Sequence, residues 1–339
     1  MESVSVHQAV GMVLCHDITE IVPGKFKGAA FKKGHIIREA DIPRLLNLGK
    51  EHLYVWNLEE GFLHENDAAL RIAAASKGAG VELSEPKEGK VDFIAETEGL
   101  LKVNIEKLYR VNENEKVVLS TIHGNVVVKK GKVLAGTRII PLVIEEEHIK
   151  HIEELAAVGG PIVEIKPLIP HKVGVVTTGN EVYQGRIPDK FGPVIFNKMQ
   201  ELGSSITRQI LAPDSVDIIS ASIKELIAEG AEMIAVTGGM SVDPDDVTPA
   251  AIREAGGRVV SYGSPTLPGA MFMLAYIGDI PVVGLPGCVM YHKSSIFDLV
   301  VPRILAGELL TRADIVKLAY GGVCHRCEVC IYPDCAFGK

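Results

Sequence analysis

The sequence predicts an α/β protein built on a doubly wound, mostly parallel sheet, preceded by smaller α+β and β-rich modules and followed by a short cysteine-rich C-terminal tail. Three observations carry this. From His171 to about Gly307 the chain repeats strand, loop and helix, the alternation that places helices on both faces of a parallel sheet. Three of those strands end in glycine loops, at Gly179, at Gly238-Gly239 and at Gly287. The composition agrees, being 47% hydrophobic with 5% aromatic, and 339 residues exceed the usual size of one domain. The expected divisions are 1–60, a small α+β module; 61–168, a β-rich middle domain; 169–310, the α/β domain; and 311–339, the tail.

In the first module apolar and polar positions alternate from Val10 to Ile21, turns follow at Pro23-Gly24 and Lys33-Gly34, and a helical pattern from Asp41 to Leu48 leads to a strand from Leu53 to Trp56. His16, Asp17 and the lysines at 25, 27, 32 and 33 read as a solvated basic hairpin before they read as an anion site. A helix is expected over Glu65 to Ser76, its Ala68, Ala69, Ile72 and Ala73 suited to close packing. Short β segments then run from Phe93 to Ile144, and Glu145-Glu146-Glu147 opens a helix to Ala157. Three prolines between Pro161 and Pro170 mark a connector.

The α/β unit begins with a buried strand, Val173 to Thr177, then a helix from Phe191 to Leu202 and a strand from Ile206 to Leu211. Asp214 reads as the cap of a long helix with Ile218, Ile219, Ile223 and Leu226 as its core stripe. The strand ending at Thr237 enters the loop Gly238-Gly239-Met240-Ser241-Val242-Asp243-Pro244-Asp245-Asp246-Val247-Thr248-Pro249. Strands at Arg258 to Tyr262, Met271 to Ile277 and Pro281 to Leu285 and a helix ending near Leu305 complete the unit, so residues beyond Thr311 are expected to add little to its core.

That loop carries the chemistry. Gly238 and Gly239 permit positive φ and close approach of a ligand to the backbone. Thr248-Pro249 reads as a helix N-cap and first turn, a site for an anion. Asp243, Asp245 and Asp246 crowd the same place, and acids beside a phosphate imply a bridging divalent cation. The alternative is a glycine turn with solvated acids.

A formal charge of -8 with no Lys/Arg stripe argues against nucleic acid and anionic membrane as partners, and leaves a small ligand. No apolar run is long enough to span a bilayer and the N-terminus lacks signal-peptide order, so cytoplasmic location is expected. Of six cysteines, Cys324, Cys327, Cys330 and Cys335 lie within twelve residues at Cys-x2-Cys-x2-Cys-x4-Cys spacing. Such thiolates can converge on one centre, so an iron–sulfur cluster, Zn2+, or a free redox or metal-relay tail are the readings.

The text TTGNE at 177–181, TGGMSVDPDDVTP at 237–249, and SPTLPGAMFM with VVGLPG between 264 and 287 resembles the molybdopterin-binding domain shared by molybdopterin molybdotransferases, molybdopterin adenylyltransferases and the competence-damage protein family. The match covers about 171–307; the upstream region is more loosely similar to the accessory region of the molybdotransferases. Gly179 and Glu181 match the first loop, with Asn180 where Asp is usual; Gly238, Gly239 and Ser241 match the second; Asp246 matches the acid for which the family implies a role with Mg2+ and phosphate. In the third loop Pro-Gly-Lys-Pro becomes Pro268-Gly269-Ala270-Met271, and Pro-Gly-Asn-Pro becomes Pro286-Gly287-Cys288-Val289. Pterin and phosphate binding survive these changes, while the missing lysine weakens the case for molybdate insertion and adenylyl transfer.

Taken together, loops and resemblance imply Asp246, Asp243 and Glu181 as catalytic residues, with Asp246 also a metal ligand. Thr178, Gly179, Asn180, Gly238, Gly239, Ser241, Asp245, Thr248, Pro268, Gly269, Pro286 and Gly287 are the implied ligand-binding set. The implied function is molybdenum-cofactor biosynthesis by a molybdotransferase-like transferase. Its implied ligands are molybdopterin or adenylylated molybdopterin, Mg2+, and molybdate or tungstate. A homo-oligomer that meets other cofactor-assembly proteins is expected. A non-catalytic pterin carrier or metal sensor, and a nucleotide pyrophosphatase of the competence-damage type, are the alternatives.

Overall fold

The computed structural model describes residues 2–22, 26–55 and 61–339; the expected turn at Pro23-Gly24, Lys25 and Trp56 lie outside them. The chain divides into two compact units, one formed by 1–96, 103–122 and 130–164, the other by 97–102, 123–129 and 165–339.

In the first unit, Glu2–Ser5 pairs antiparallel with His52–Val55, and Ile18–Val22 with Phe26–Phe31, over a core that includes Leu14, Ile18, Ile37, Leu45 and Leu53. The alternation from Val10 does not make a strand. Val10, Met12 and Val13 are exposed and the chain turns there, Met12 N–H donating to the Ala9 carbonyl; Val13 and Leu14 form only isolated bridges, and the next strand is Ile18–Val22. Helix Glu65–Ser76 forms as expected and buries Ala68, Ala69, Ile72 and Ala73. Helix Glu146–Ala157 lies beside it, with Arg71 donating to Glu146 and in a two-pronged contact to Glu153. A four-stranded antiparallel sheet runs in the order Val81–Leu83, Lys90–Ala95, Val133–Ile139, Val117–Thr121. A helix, Ile105–Asn112, unassigned from the sequence, lies between two of the short β segments; Asn104 caps it by accepting from Lys107 N–H.

His64 caps helix Glu65–Ser76 through Nδ1, which accepts from Asn66 N–H at 3.1 Å, and is 1% exposed. Burial, aided by the Lys33 charge, lowers its pKa from 6.5 to about 4. A histidine held neutral when folded imposes no penalty above its unfolded pKa, and stability is lost as pH falls from there through the folded value. His64 should therefore cost about 3 kcal/mol between pH 6.5 and 4. His64→Asn keeps an acceptor for the cap, so urea unfolding at pH 7 and 4.5 should show a smaller loss in the variant than in the parent; equal losses would refute the assignment.

The second unit is built on a six-stranded mixed sheet. Its strands are β1 (Lys172–Thr178), β2 (Ser205–Ala212), β3 (Met233–Thr237), β4 (Arg258–Tyr262), β5 (Met273–Ile277) and β6 (Ile280–Leu285), in the spatial order β2-β1-β3-β6-β5-β4. The first four in that order are mutually parallel; β5 alone is reversed, because Gly278-Asp279 folds β5 and β6 into a hairpin, and edge strand β4 pairs antiparallel with β5 and so runs in the direction of the parallel four. Alternate strand residues enter two cores. Val175, Ala235, Val283 and Leu285 pack with the helices α1 (Phe191–Glu201) and α2 (Ile296–Leu305). Val176, Ile234, Val236 and Val282 pack with α3 (Val216–Ala228) and α4 (Thr248–Glu254).

The core does not close at Gly307. Leu310 and Ile315 are 2% and 0% exposed and belong to the α1–α2 core, Phe337 is 2% exposed, and Tyr276 Oη accepts from Leu310 N–H. Arg303, inside α2, is paired with Glu308 at 2.8 Å and Asp314 at 3.3 Å. Short polar spacers hid these anchors from a reading based on periodicity. Among the described residues no helix is long and apolar enough to cross a membrane.

Candidate functional site

Register places the site. Thr177 of β1 is level with Thr237 of β3, which is level with Leu285 of β6, so the loops that begin at Gly179, Gly238 and Pro286 leave the same edge of the sheet. Beneath that edge Thr237 Oγ1 donates to Thr177 Oγ1 (3.2 Å), which also accepts from Gln209 Nε2 (2.8 Å); Gln209 reaches Asp189 (2.6 Å), the carboxylate that accepts from Phe191 N–H at the start of α1.

Gly238 and Gly239 have φ of 89° and 58°, and their tight turn is packed against protein. A Cβ at Gly238 would stand 2.5 Å from the Thr178 carbonyl, and one at Gly239 2.7 Å from Thr248 Oγ1. The glycines are thus needed for loop against loop packing as well as for the positive φ expected of them. Thr248 is also reassigned. It is fully buried, is the first residue of α4, and its hydroxyl donates to the Gly238 carbonyl at 2.9 Å in place of capping helix N–H groups. The reason is proximity: the glycine turn brings a carbonyl within its reach. Tyr262 Oη tethers the loop further by donating to the Met240 carbonyl (3.1 Å), and Met240 is buried against Gly284.

Around this turn lies a pocket of about 540 Å3. It gathers Gly238, Gly239, Ser241 and Asp246 from one loop, Pro268 and Gly269 from the β4–β5 loop, and Pro286 and Gly287 from the end of β6. Thr178 and Thr248 stand behind it, 3.5 Å apart through their hydroxyls. Gly179, Asn180, Glu181, Asp243 and Asp245 do not line it. Cys288 does, and burial pushes its thiol pKa up, which keeps it protonated.

Three polar residues were not legible from the sequence. Asp214 does not cap α3; its carboxylate accepts from Asn180 N–H at 2.9 Å while Asn180 Oδ1 accepts from Asp214 N–H at 3.3 Å. Burial raises the Asp214 pKa, the Asn180 contact lowers it, and the charges of Glu181, Asp245 and Asp246 raise it further. The acids therefore form one negative flank. The other two, His292 and Arg326, supply the pocket's basic side chains. Arg326 sits between Cys324 and Cys327, a stretch in which only the thiols were assigned a role from the sequence. It enters the wall formed by Pro268, Gly269 and Ala270, where the expected lysine is missing.

The tail thiols line a second cavity of about 240 Å3, which contains Cys324, Cys327, Cys330 and Cys335. They do not converge on a point. Cys330 Sγ is 3.7 Å from Ser294 Oγ and Cys324 Sγ accepts from Arg326 N–H at 3.5 Å. Among the described residues no group of three or more His, Cys, Asp or Glu side chains is arranged to hold a single metal ion. Cys15 is buried and donates to the Tyr54 carbonyl.

Residues 174–306 match the family described as a probable molybdopterin binding domain. The match spans the strand-and-helix repeat of the second unit and 133 of the chain's 339 residues. Upstream, residues 3–57 match a family described as a domain of unknown function. A CinA-like protein of Mycobacterium sp. (strain MCS) is 36% identical over 87 residues, 26% of this chain and 21% of that protein. A molybdopterin adenylyltransferase of Pyrococcus furiosus is 29% identical over 92 residues, 27% of this chain and 54% of that protein. The chain thus spans about a fifth and about half of these relatives' lengths. The solved structure of the molybdopterin biosynthesis enzyme MoaB from Thermus thermophilus overlaps 41% of this chain and 98% of its own, at 20% identity and a TM-score of 0.34. The matched segment, 174–306, carries every residue of the 540 Å3 pocket except Arg326.

Proposed function

We propose that the chain acts in molybdenum-cofactor biosynthesis, binding molybdopterin or its adenylylated form in the 540 Å3 pocket and acting on the phosphate end of that ligand in a Mg2+-dependent reaction. The observation that carries this is the meeting of the Gly238-Gly239 loop, the Pro268-Gly269 loop and the Pro286-Gly287 turn around one pocket, in a segment that matches a molybdopterin-binding family, beside an acid and a cation. Ser241 and the loop backbone would hold the phosphate, Arg326 would offset its charge, and the apolar walls from Pro268, Met271 and Pro286 would take the pterin.

The residues fit Mg2+. That ion uses one or two carboxylates together with ligand phosphates and keeps its remaining waters, and Asp246 lines the pocket beside the acids Asp245, Glu181 and Asp214; burial raises the Asp214 pKa and the neighbouring carboxylate charges add to the rise. Asp246 would hold it, and the ion would supply neutralisation of charge developing on a phosphoanhydride. The protein's own part is to orient the anhydride against Asp246 and exclude water from the pterin face.

A carrier without turnover is the second reading, favoured by Ala270 in the pocket wall in place of a lysine. One experiment separates them. With adenylylated molybdopterin, molybdate and Mg2+, the parent should release AMP. Asp246→Ala should lower that rate about 100-fold with an unchanged melting temperature, because the side chain lies on a partly exposed loop. Parent that retains pterin and releases no AMP is a carrier, and turnover in the variant within a few-fold of the parent removes Asp246 from the chemistry.

A further inference from the structure

We propose that the four tail thiols form a site for a polynuclear iron–sulfur cluster, and that the cluster, once bound, sets the position of Arg326 in the neighbouring ligand pocket; only this second step rests on the proposed function above.

The thiol cavity is built into the fold at several points. Leu267 N–H donates to the Gly322 carbonyl at 2.7 Å and Cys324 N–H returns to the Leu267 carbonyl at 2.8 Å, so the start of the thiol segment is paired to the loop that walls the ligand pocket. On its far side Tyr332 Oη donates to the Asp298 carbonyl at 3.0 Å, Phe337 is buried, and Gly338 N–H donates to the Gly321 carbonyl at 2.8 Å. The twelve residues from Cys324 to Cys335 are therefore a loop closed at both ends on the α/β unit. All four cysteines are free of disulfides and face one cavity.

Size selects the occupant. A single Zn2+ draws four sulfurs to about 2.3 Å from one point. Thiols distributed around about 240 Å3 suit a larger body, in which iron and sulfide fill the centre and each thiolate holds one iron at the periphery. The closely spaced triple followed by a fourth cysteine gives four such ligands from one segment.

Two residues belong to both cavities. His292 and Arg326 line the thiol cavity and the ligand pocket alike. Arg326 lies between two of the thiols, is itself held at φ 55°, and its N–H points at Cys324 Sγ. Fixing Cys324 and Cys327 on adjacent irons fixes the backbone of Arg326 between them, and so the guanidinium that meets the anionic end of a ligand. An empty thiol site lacks that restraint on the Arg326 backbone.

The test uses full-length protein purified without oxygen, then reconstituted with ferrous iron and sulfide, with pyrophosphate plus Mg2+ as the binding probe. The expected result is about four irons and four sulfides per chain, both lost when Cys327→Ser and Cys335→Ser are combined. Arg326→Ala should keep the iron and bind pyrophosphate at least about tenfold more weakly, and iron-free parent should show a similar loss. One zinc per chain without sulfide, or no metal, overturns the cluster. Iron and sulfide bound, with equal pyrophosphate affinity in parent, iron-free parent and Arg326→Ala, overturns the coupling. If no form binds pyrophosphate, the reading of the ligand pocket fails and the iron and sulfide analysis alone decides the cluster.

Discussion

Removal of residues 308–339 should leave a protein that does not fold cooperatively. The deletion takes Leu310, Ile315 and Phe337, each at most 2% exposed, out of the molecule. Burial of a side chain of that size contributes about 1.5–3 kcal/mol, so the three together approach the roughly 5–15 kcal/mol by which a whole domain is stable. Arg303, 7% exposed, would also lose both Glu308 and Asp314, and a buried charge stripped of its partners costs about 3–5 kcal/mol. Thermal unfolding followed by near-ultraviolet circular dichroism is the measurement. A shorter deletion, after Tyr320, keeps Leu310, Ile315 and both partners of Arg303 while removing the thiols, and should retain a cooperative transition at lower temperature. A sharp transition near that of the parent in the longer deletion would show that the segment beyond Gly307 is dispensable.

Gly238→Val should destroy the ligand loop, and with it any ligand binding, through the backbone alone. At φ 89° a residue with Cβ is strained by about 1–2 kcal/mol, and the Cβ would stand 2.5 Å from the Thr178 carbonyl, a backbone atom held in the sheet by β1. Overpacking of that kind adds about 1–3 kcal/mol, and the branched side chain adds to it. The contrast is Gly287→Ala. Gly287 lines the same pocket with an ordinary φ of -53°, and no atom lies within 4 Å of where its Cβ would be. That variant should melt with the parent, so any change in its pyrophosphate affinity reports contact with the ligand. Melting of Gly238→Val at the parent temperature would show that the turn is not braced by β1.

Much of the candidate site was legible because glycine turns and clustered acids are local signals. Gly238, Gly239, Ser241, Asp246, Pro268, Gly269, Pro286 and Gly287 were all identifiable from short stretches of sequence, and they meet around one pocket. Gly179, Asn180, Glu181, Asp243 and Asp245, identified in the same way, lie off it. A motif gives the residue types of a loop but leaves open which side of it faces the cavity.

The sequence by itself determined those elements whose cause lies within one or two turns of chain. Helix Glu65–Ser76 follows from its apolar spacing, and the strands ending at Thr178, Thr237 and Leu285 from buried runs closed by turn residues. The tertiary structure decided what depends on register and on long loops. Thr178 and Thr248 share a hydroxyl contact across 70 residues, Asp214 leaves its helix for Asn180, and Arg326 reaches a pocket whose other walls lie at least 34 residues earlier in the chain. The physical reason is the same in each case. A side chain's partner is fixed by which strand ends lie at the same level and by where a loop is anchored, and these are set by packing over the whole unit.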